Sequence, residues 1–160
     1  MPQTFDIVVI GAGPGGYATA LRAAELGLSV ALVERDATLG GTCLNRGCIP
    51  SKALLTAAHA MHTARWAPAT GLQVQVTGFD FGALRDYRMR AVDAMVKGLA
   101  GLVAHRGITV FRGQASLAGA RQVTVTPSPG CEAVLRYIKA GVAEPVGDWM
   151  RLDAANVVLA

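Results

Sequence analysis

An α/β fold built on a buried parallel sheet is the expectation for this chain, and three observations lead to it. The first 34 residues run as an apolar β-branched stretch, a glycine-rich turn, a helix-forming stretch and a second apolar run. Of the 160 residues 52% are hydrophobic and only 16% charged, as suits parallel strands covered on both faces. The 19 glycines supply the turns such a fold needs, and the length suits one domain.

Phe5-Asp6-Ile7-Val8-Val9-Ile10 reads as a central strand. Gly11-Ala12-Gly13-Pro14-Gly15-Gly16 follows, then a helix from Tyr17 to Leu26 that Gly27 closes, and a second strand from Ser29 to Val33 that ends on Glu34. Together they make a complete βαβ unit. After a Gly- and Cys-bearing loop the spacing predicts a helix from about Ala53 to Trp66. Leu72 to Val76 alternates as an extended segment would. A helix from Phe81 to His105 carries the apolar stripe Leu84, Met89, Val92, Val96, Leu99 and Val103. Ile108 to Phe111 and Gln122 to Thr126 read as strands joined by a Gly-containing connection, Pro127 to Gly130 as a turn, and Asn156 to Ala160 as the end of a buried strand.

The net charge of +4 is scattered, with no basic block and no aromatic residues interleaved among basic ones, so a nucleic-acid surface is not expected. No apolar run approaches the roughly 18 residues that cross a bilayer, and Met1 to Asp6 lacks the basic start of a signal peptide. The expectation is a soluble, cytoplasmic protein with no membrane partner. Three cysteines in such a chain leave a catalytic pair, a metal site or buried thiols open, and argue against a disulfide scaffold.

In Gly11-x-Gly13-x-x-Gly16 the first glycine allows a tight turn, the second lets a pyrophosphate approach the backbone and the third lets helix pack closely on strand. The helix amino end offers N–H groups and a partial positive charge to phosphates, and Pro14 fits its first turn. Glu34 closes the second strand 18 positions after Gly16. A carboxylate there accepts ribose hydroxyls and repels a 2′-phosphate, which points to FAD or NAD rather than NADP. The fold is therefore Rossmann-like, and a glycine-rich turn with a surface glutamate is the plain alternative.

Cys43 and Cys48 are five positions apart. Five residues of ideal helix rotate about 140° past a full turn, so a bond between these side chains needs a distorted backbone. Asn45 and Gly47 tolerate unusual angles, and Pro50 discourages regular helix at Ile49. A thiolate near the start of the next helix is favoured by its dipole and by Lys52. A reactive pair is the preferred reading. Two ordinary apolar thiols, or a Cys₂His₂ zinc set completed by His59 and His62, are the alternatives, and the zinc set gives Gly40-Gly41-Thr42 and Lys52 no role. Cys131 reads as structural, and His105 and Trp149 carry no motif.

The segment Gly40-Gly41-Thr42-Cys43-Leu44-Asn45-Arg46-Gly47-Cys48-Ile49-Pro50-Ser51-Lys52-Ala53-Leu54-Leu55, taken with the glycine loop and Glu34, resembles the pyridine-nucleotide disulfide oxidoreductase family. Within it the dihydrolipoyl dehydrogenases are most similar, and the likeness runs from about Phe5 to Thr126. The resemblance implies an FAD-binding domain with a parallel sheet plus an antiparallel strand segment, occupying 1–160 and apparently truncated, since family members continue into NAD-binding and dimer-interface domains. It implies that Cys48 lies against the flavin in a charge-transfer pair and Cys43 exchanges with substrate through a mixed disulfide. Lys52 would sit beside the flavin ring and Glu34 would hold the adenosine ribose. The segment from Glu34 through Arg35, Gly41 and Thr42 to Cys43 would line the cofactor, and the backbone around Ala115 would meet adenine. Gly11, Gly13, Pro14 and Gly16 would carry the pyrophosphate.

It implies further that FAD is tightly bound in the full-length form, NAD is a co-substrate whose site is absent from this chain, and the partners are a lipoyl-bearing protein or small dithiol plus a second subunit in a homodimer. A mercuric- or glutathione-type reductase and a non-catalytic flavin-binding fragment are the rival readings. One departure stands out: the residues from about Tyr137 to Leu152 intervene between two strands that the family joins almost directly, and a surface hairpin or short helix is expected there.

Overall fold

A computed structural model describes residues 3–137 and 143–160. The chain divides into two compact units, one made of Met1–Gly41 with Val96–Ala160 and the other of Thr42–Met95.

The first unit is an eight-stranded sheet. Strands β1 (Gln3–Ile10) and β2 (Val30–Glu34) are joined by helix α1 (Pro14–Glu25). The chain returns to the sheet through β3 (Thr109–Arg112), β4 (Gln114–Gly119), β5 (Gln122–Thr126), β6 (Val134–Tyr137), β7 (Ala143–Gly147) and β8 (Met150–Leu159), in the spatial order β4-β5-β8-β1-β2-β3-β6-β7. The four middle strands are parallel, with Ile7 opposite Val30 and Asn156 on either side and Ala31 opposite Thr109. Val8, Val9, Ala31 and Leu32 are wholly buried, as their apolar run predicts. Alternation along the strands sends Val8, Ala31 and Val33 into one core with Phe111, Val123, Val125, Val134 and Leu152. Phe5 meets Phe111 edge-on there, ring centroids 6.0 Å apart.

Antiparallel hairpins flank the parallel core: β4-β5 attaches to β8 and β6-β7 attaches to β3. Two differences from the sequence expectation follow. The connection between Phe111 and Gln122 contains a strand, β4, whose residues are nearly all exposed and so carry no apolar alternation. The final strand begins at Met150 rather than Asn156, because Met150 and Leu152 pair with Val125 and Val123. The segment after Tyr137 contributes strand β7 to a hairpin with β6, the first of the two forms expected there, and its residues 138–142 lie outside the described ones.

The second unit is helical. It holds most of α2 (Gly41–Arg46), all of α3 (Cys48–Trp66), a 3₁₀ turn (Ala67–Thr70) and the first half of α4 (Phe81–His105). Helix α4 has the expected limits, and Asp80 caps it by accepting the Ala83 amide at 3.0 Å. Helix α3 starts five residues before the expected Ala53, at Cys48. Pro50 sits in its first turn, where the missing N–H has no partner to lose, so the proline does not exclude Ile49 from the helix. Leu72 to Val76 is exposed and forms no strand, since alternation without a pairing edge does not make one.

Candidate functional site

Strand β1 lies between β2 and β8, so the direction of winding reverses at its carboxyl end, the place where open α/β sheets bind ligands. The chain leaves β1 there through Gly11, whose φ of 96° belongs to glycine. A Cβ on Gly11 would overlap the Ala160 carbonyl oxygen, and one on Gly16 would overlap the carbonyl oxygen of Gly11. Those two glycines make a turn with no room for a side chain. Gly13 differs: a Cβ there would meet nothing within 4 Å, so its outer side faces open space. Gly13 is the N-cap of α1, Pro14 occupies the first turn, and no side chain caps the helix. The first-turn amides therefore have no intrahelical or side-chain acceptor. This cradle fits the pyrophosphate of a dinucleotide such as FAD.

Glu34, the last residue of β2, turns back onto the turn. Its Oε2 accepts the Ala12 amide at 2.7 Å and its Oε1 accepts the Asp36 amide at 2.8 Å. Each oxygen retains a second lone pair, which is what ribose hydroxyls require. Arg35 is exposed and pairs with Asp36 at 3.8 Å, and its carbonyl accepts the Ser128 hydroxyl at 2.7 Å. The Gly113 amide donates to the Glu34 carbonyl at 2.9 Å, and Ala115 packs half-buried against the core beside Val125.

Sequence reasoning gave Gly41 only a place along the cofactor, yet the structure gives it a second task. With a φ of 57° it lies so close to Gly13 that a Cβ would come within 2.8 Å of the Gly13 Cα, while the Gly40 amide donates to the Ala12 carbonyl at 2.9 Å. The double glycine thus clasps the phosphate turn from outside. Gly40-Gly41 was the available signal, but only the fold shows what it touches.

Thr42 and Cys43 follow in α2, and the helix breaks at Gly47, with φ −122° and ψ −108°, before α3 begins on Cys48. A Cβ on Gly47 would crowd the Thr42 carbonyl oxygen at 3.0 Å and the Cys43 Cα at 3.4 Å, so the break leaves little room for a side chain. Cys43 is half-buried, Cys48 is exposed, and neither they nor Cys131 form a disulfide. A side-chain hydrogen bond with Cys48 raises the Cys43 thiol above its ordinary pKa, with burial and negative charge on Cys48 adding to the rise. A backbone hydrogen bond from Cys48 and the charge of Lys52 pull it down, but by less. The charge of Lys52 thus does not bring the Cys43 thiol below its ordinary pKa. The Cys₂His₂ alternative does not assemble: among the described residues no three His, Cys, Asp or Glu side chains converge on a common point, and His59 and His62 are exposed.

A family profile described as pyridine nucleotide-disulphide oxidoreductase matches residues 5–160. The chain belongs to this family. It is 44% identical over 130 residues to a dihydrolipoyl dehydrogenase of Manduca sexta, covering 81% of this chain and 26% of that protein. It is 42% identical over 124 residues to a dihydrolipoyl dehydrogenase of Bacillus subtilis (strain 168), covering 78% and 26%. A leghemoglobin reductase of Glycine max is 39% identical over 132 residues, covering 82% and 25%. The chain therefore spans about a quarter of the length of these relatives. This family membership implies FAD. Among the described residues no helix is long and apolar enough to cross a membrane.

Proposed function

We propose that this chain is the FAD-binding and disulfide-bearing part of a dihydrolipoyl dehydrogenase-type flavoprotein, with Cys43 and Cys48 as its redox pair. The observation that carries this reading is the placement of the two cysteines on either side of the helix break at Gly47, on a segment that begins where Gly41 packs on the phosphate turn. Gly11, Gly13, Pro14 and Gly16 hold the pyrophosphate at the open amino end of α1, and Gly41 and Thr42 belong to the segment that lines the cofactor. Glu34 orients the adenosine ribose, Arg35 and the Ala115 backbone border the adenine, and Lys52 offers a positive charge for the flavin ring. Bound FAD supplies a two-electron acceptor, with NAD⁺ as the final oxidant in the complete enzyme.

The chain's own chemistry is thiol–disulfide exchange. In the oxidised pair, one thiolate of a dihydrolipoyl group attacks the Cys43 sulfur, the Cys43–Cys48 bond breaks, and Cys48 leaves as a thiolate. The second substrate thiol, losing its proton, then attacks the substrate sulfur of the mixed disulfide and expels Cys43, which takes up a proton. Substrate leaves as a disulfide and the chain holds two more electrons as a dithiol. The proposed setting is cytoplasmic, with a lipoyl-bearing protein as partner and a homodimer as the full-length assembly.

Two measurements test this reading. Purified chain mixed with FAD should acquire the flavin visible band and bind FAD at one site. The Cys48→Ser variant, incubated with lipoamide, should trap a mixed disulfide on Cys43 in peptide mapping. Trapping on Cys131, or faster trapping from glutathione disulfide than from lipoamide, would sink the lipoyl assignment, the second result favouring the glutathione-reductase alternative.

A further inference from the structure

Helices α2 and α3 are separated by a single residue, Gly47, whose φ of −122° and ψ of −108° lie outside the helical region. Cys43 stands before this break and Cys48 opens α3 after it. No side chain caps the start of α3. The Gly47 carbonyl, however, is held twice by one residue: Ser51 donates its amide at 3.0 Å and its hydroxyl at 2.6 Å. The amide bond is the first bond of any α-helix, accepted by the N-cap carbonyl. The hydroxyl bond is additional. Its acceptor belongs to the planar Gly47–Cys48 peptide, so holding it restrains ψ of Gly47 and φ of Cys48, two of the rotations that place the Cys48 sulfur relative to Cys43. Thr56 makes the same kind of bond at 2.9 Å to the Lys52 carbonyl, but within the body of α3, where the helix already fixes the backbone.

We propose that Ser51 is a positioning residue of the redox pair, its hydroxyl fixing the Gly47–Cys48 peptide in the orientation from which Cys48 closes the disulfide with Cys43. The inference rests on the reading of Cys43 and Cys48 as that pair. Closure by glutathione disulfide joins the two cysteine sulfurs, transfers two electrons and two protons to the oxidant and releases it as two glutathione thiols. Part of the cost of closure is the ordering of the backbone between the cysteines. Both are free thiols in this structure and the Ser51 clamp is already made, so that share of the ordering precedes the bond. A clamp present in the dithiol therefore favours the disulfide and makes it harder to reduce.

The test is the equilibrium of the intact chain with mixtures of reduced and oxidised glutathione, read by alkylation and peptide mapping of the Cys43–Cys48 bridge. Ser51→Ala should move that equilibrium about threefold or more toward the dithiol, a shift of roughly 15 mV for a two-electron couple. Ser51→Thr, whose hydroxyl can bond the carbonyl four residues back, should restore the parent value. Thr56→Ala removes the same kind of bond away from the break and should leave the equilibrium where it was. An unchanged equilibrium in Ser51→Ala, a shift toward the disulfide, no recovery in Ser51→Thr, or an equal shift in Thr56→Ala would each overturn the proposal and leave the redox pair standing. A parent chain that forms no Cys43–Cys48 bridge at any glutathione ratio would overturn the redox-pair reading and the proposal with it.

Discussion

The carboxylate of Glu34 accepts the Ala12 amide at 2.7 Å, so the end of β2 holds the turn that leaves β1. The same group accepts the Asp36 amide, which makes it a brace before any ribose arrives. Glu34→Ala leaves two amides unpaired and should cost on the order of 2–4 kcal/mol in urea unfolding, since each is a bond to a charged acceptor. Glu34→Gln keeps one oxygen acceptor and should cost less than half of that. Both should weaken FAD in a fluorescence titration. A Glu34→Ala chain as stable as the parent would show that the brace is unimportant.

The glycines of the phosphate turn separate folding from binding. Gly16→Ala pushes a methyl into the Gly11 carbonyl oxygen and should destabilise the chain by about 1–3 kcal/mol, because backbone cannot yield as a side-chain tip can. Gly13→Ala meets open space at an ordinary φ of −68°, so its stability should stay within about 0.5 kcal/mol of the parent. Its methyl would stand where a phosphate must approach, and FAD affinity should fall at least tenfold. If both variants lose stability alike, or Gly13→Ala binds FAD normally, the division of labour between the two glycines is wrong.

The sequence spoke most clearly where local chemistry and fold agree. The apolar run of Phe5 to Ile10, the glycine loop and Glu34 each follow from their own residues, and the 3.6-residue stripe of α4 fixed its limits. Strand β4 escaped because Gln114–Gly119 faces solvent and is held by pairing with β5, a long-range fact without a local pattern. Helix α2 escaped for the opposite reason: Gly40-Gly41 and Asn45 advertise a loop, and the helix nonetheless runs from Gly41. At the candidate site, residue types were legible and contacts were not. Nothing in Gly41 announces its packing on Gly13, and nothing in the Cys43–Cys48 spacing announces that the Cys43 thiol is raised.

The raised Cys43 thiol leads to a measurement on the reduced chain. Iodoacetamide labelling of Cys43, followed by peptide mapping across pH, should give a midpoint above that of an ordinary thiol, the hydrogen bond with Cys48 being the main cause. Cys48→Ala removes that bond and the nearby negative charge, so the Cys43 midpoint should fall. Lys52→Met removes a lowering charge and should raise it further. An unchanged midpoint in Cys48→Ala would mean that the thiols do not interact.

A second pH effect belongs to the start of β2. The Asp6 carboxylate accepts the Ser29 hydroxyl at 2.6 Å and the Ser29 amide at 2.8 Å, while the Asp6 amide donates to the same hydroxyl oxygen at 2.9 Å. These bonds tie the amino half of β1 to the approach to β2. They favour the charged carboxylate, the hydroxyl more than the amide, and hold the Asp6 pKa below its ordinary value against a weak opposing effect of burial. Because the folded pKa is the lower one, the unfolded chain binds more protons across the interval between the two. The stabilisation is therefore complete above the ordinary carboxylate pKa and is lost as pH falls through the depressed one. The urea midpoint of the parent should drop on acidification through that interval more than that of Asp6→Asn, and the two curves should converge once Asp6 is protonated. Ser29→Ala should flatten the parent's profile in the same range. Parallel acid profiles for the parent and Asp6→Asn would show that the Asp6–Ser29 clasp contributes nothing to the linkage.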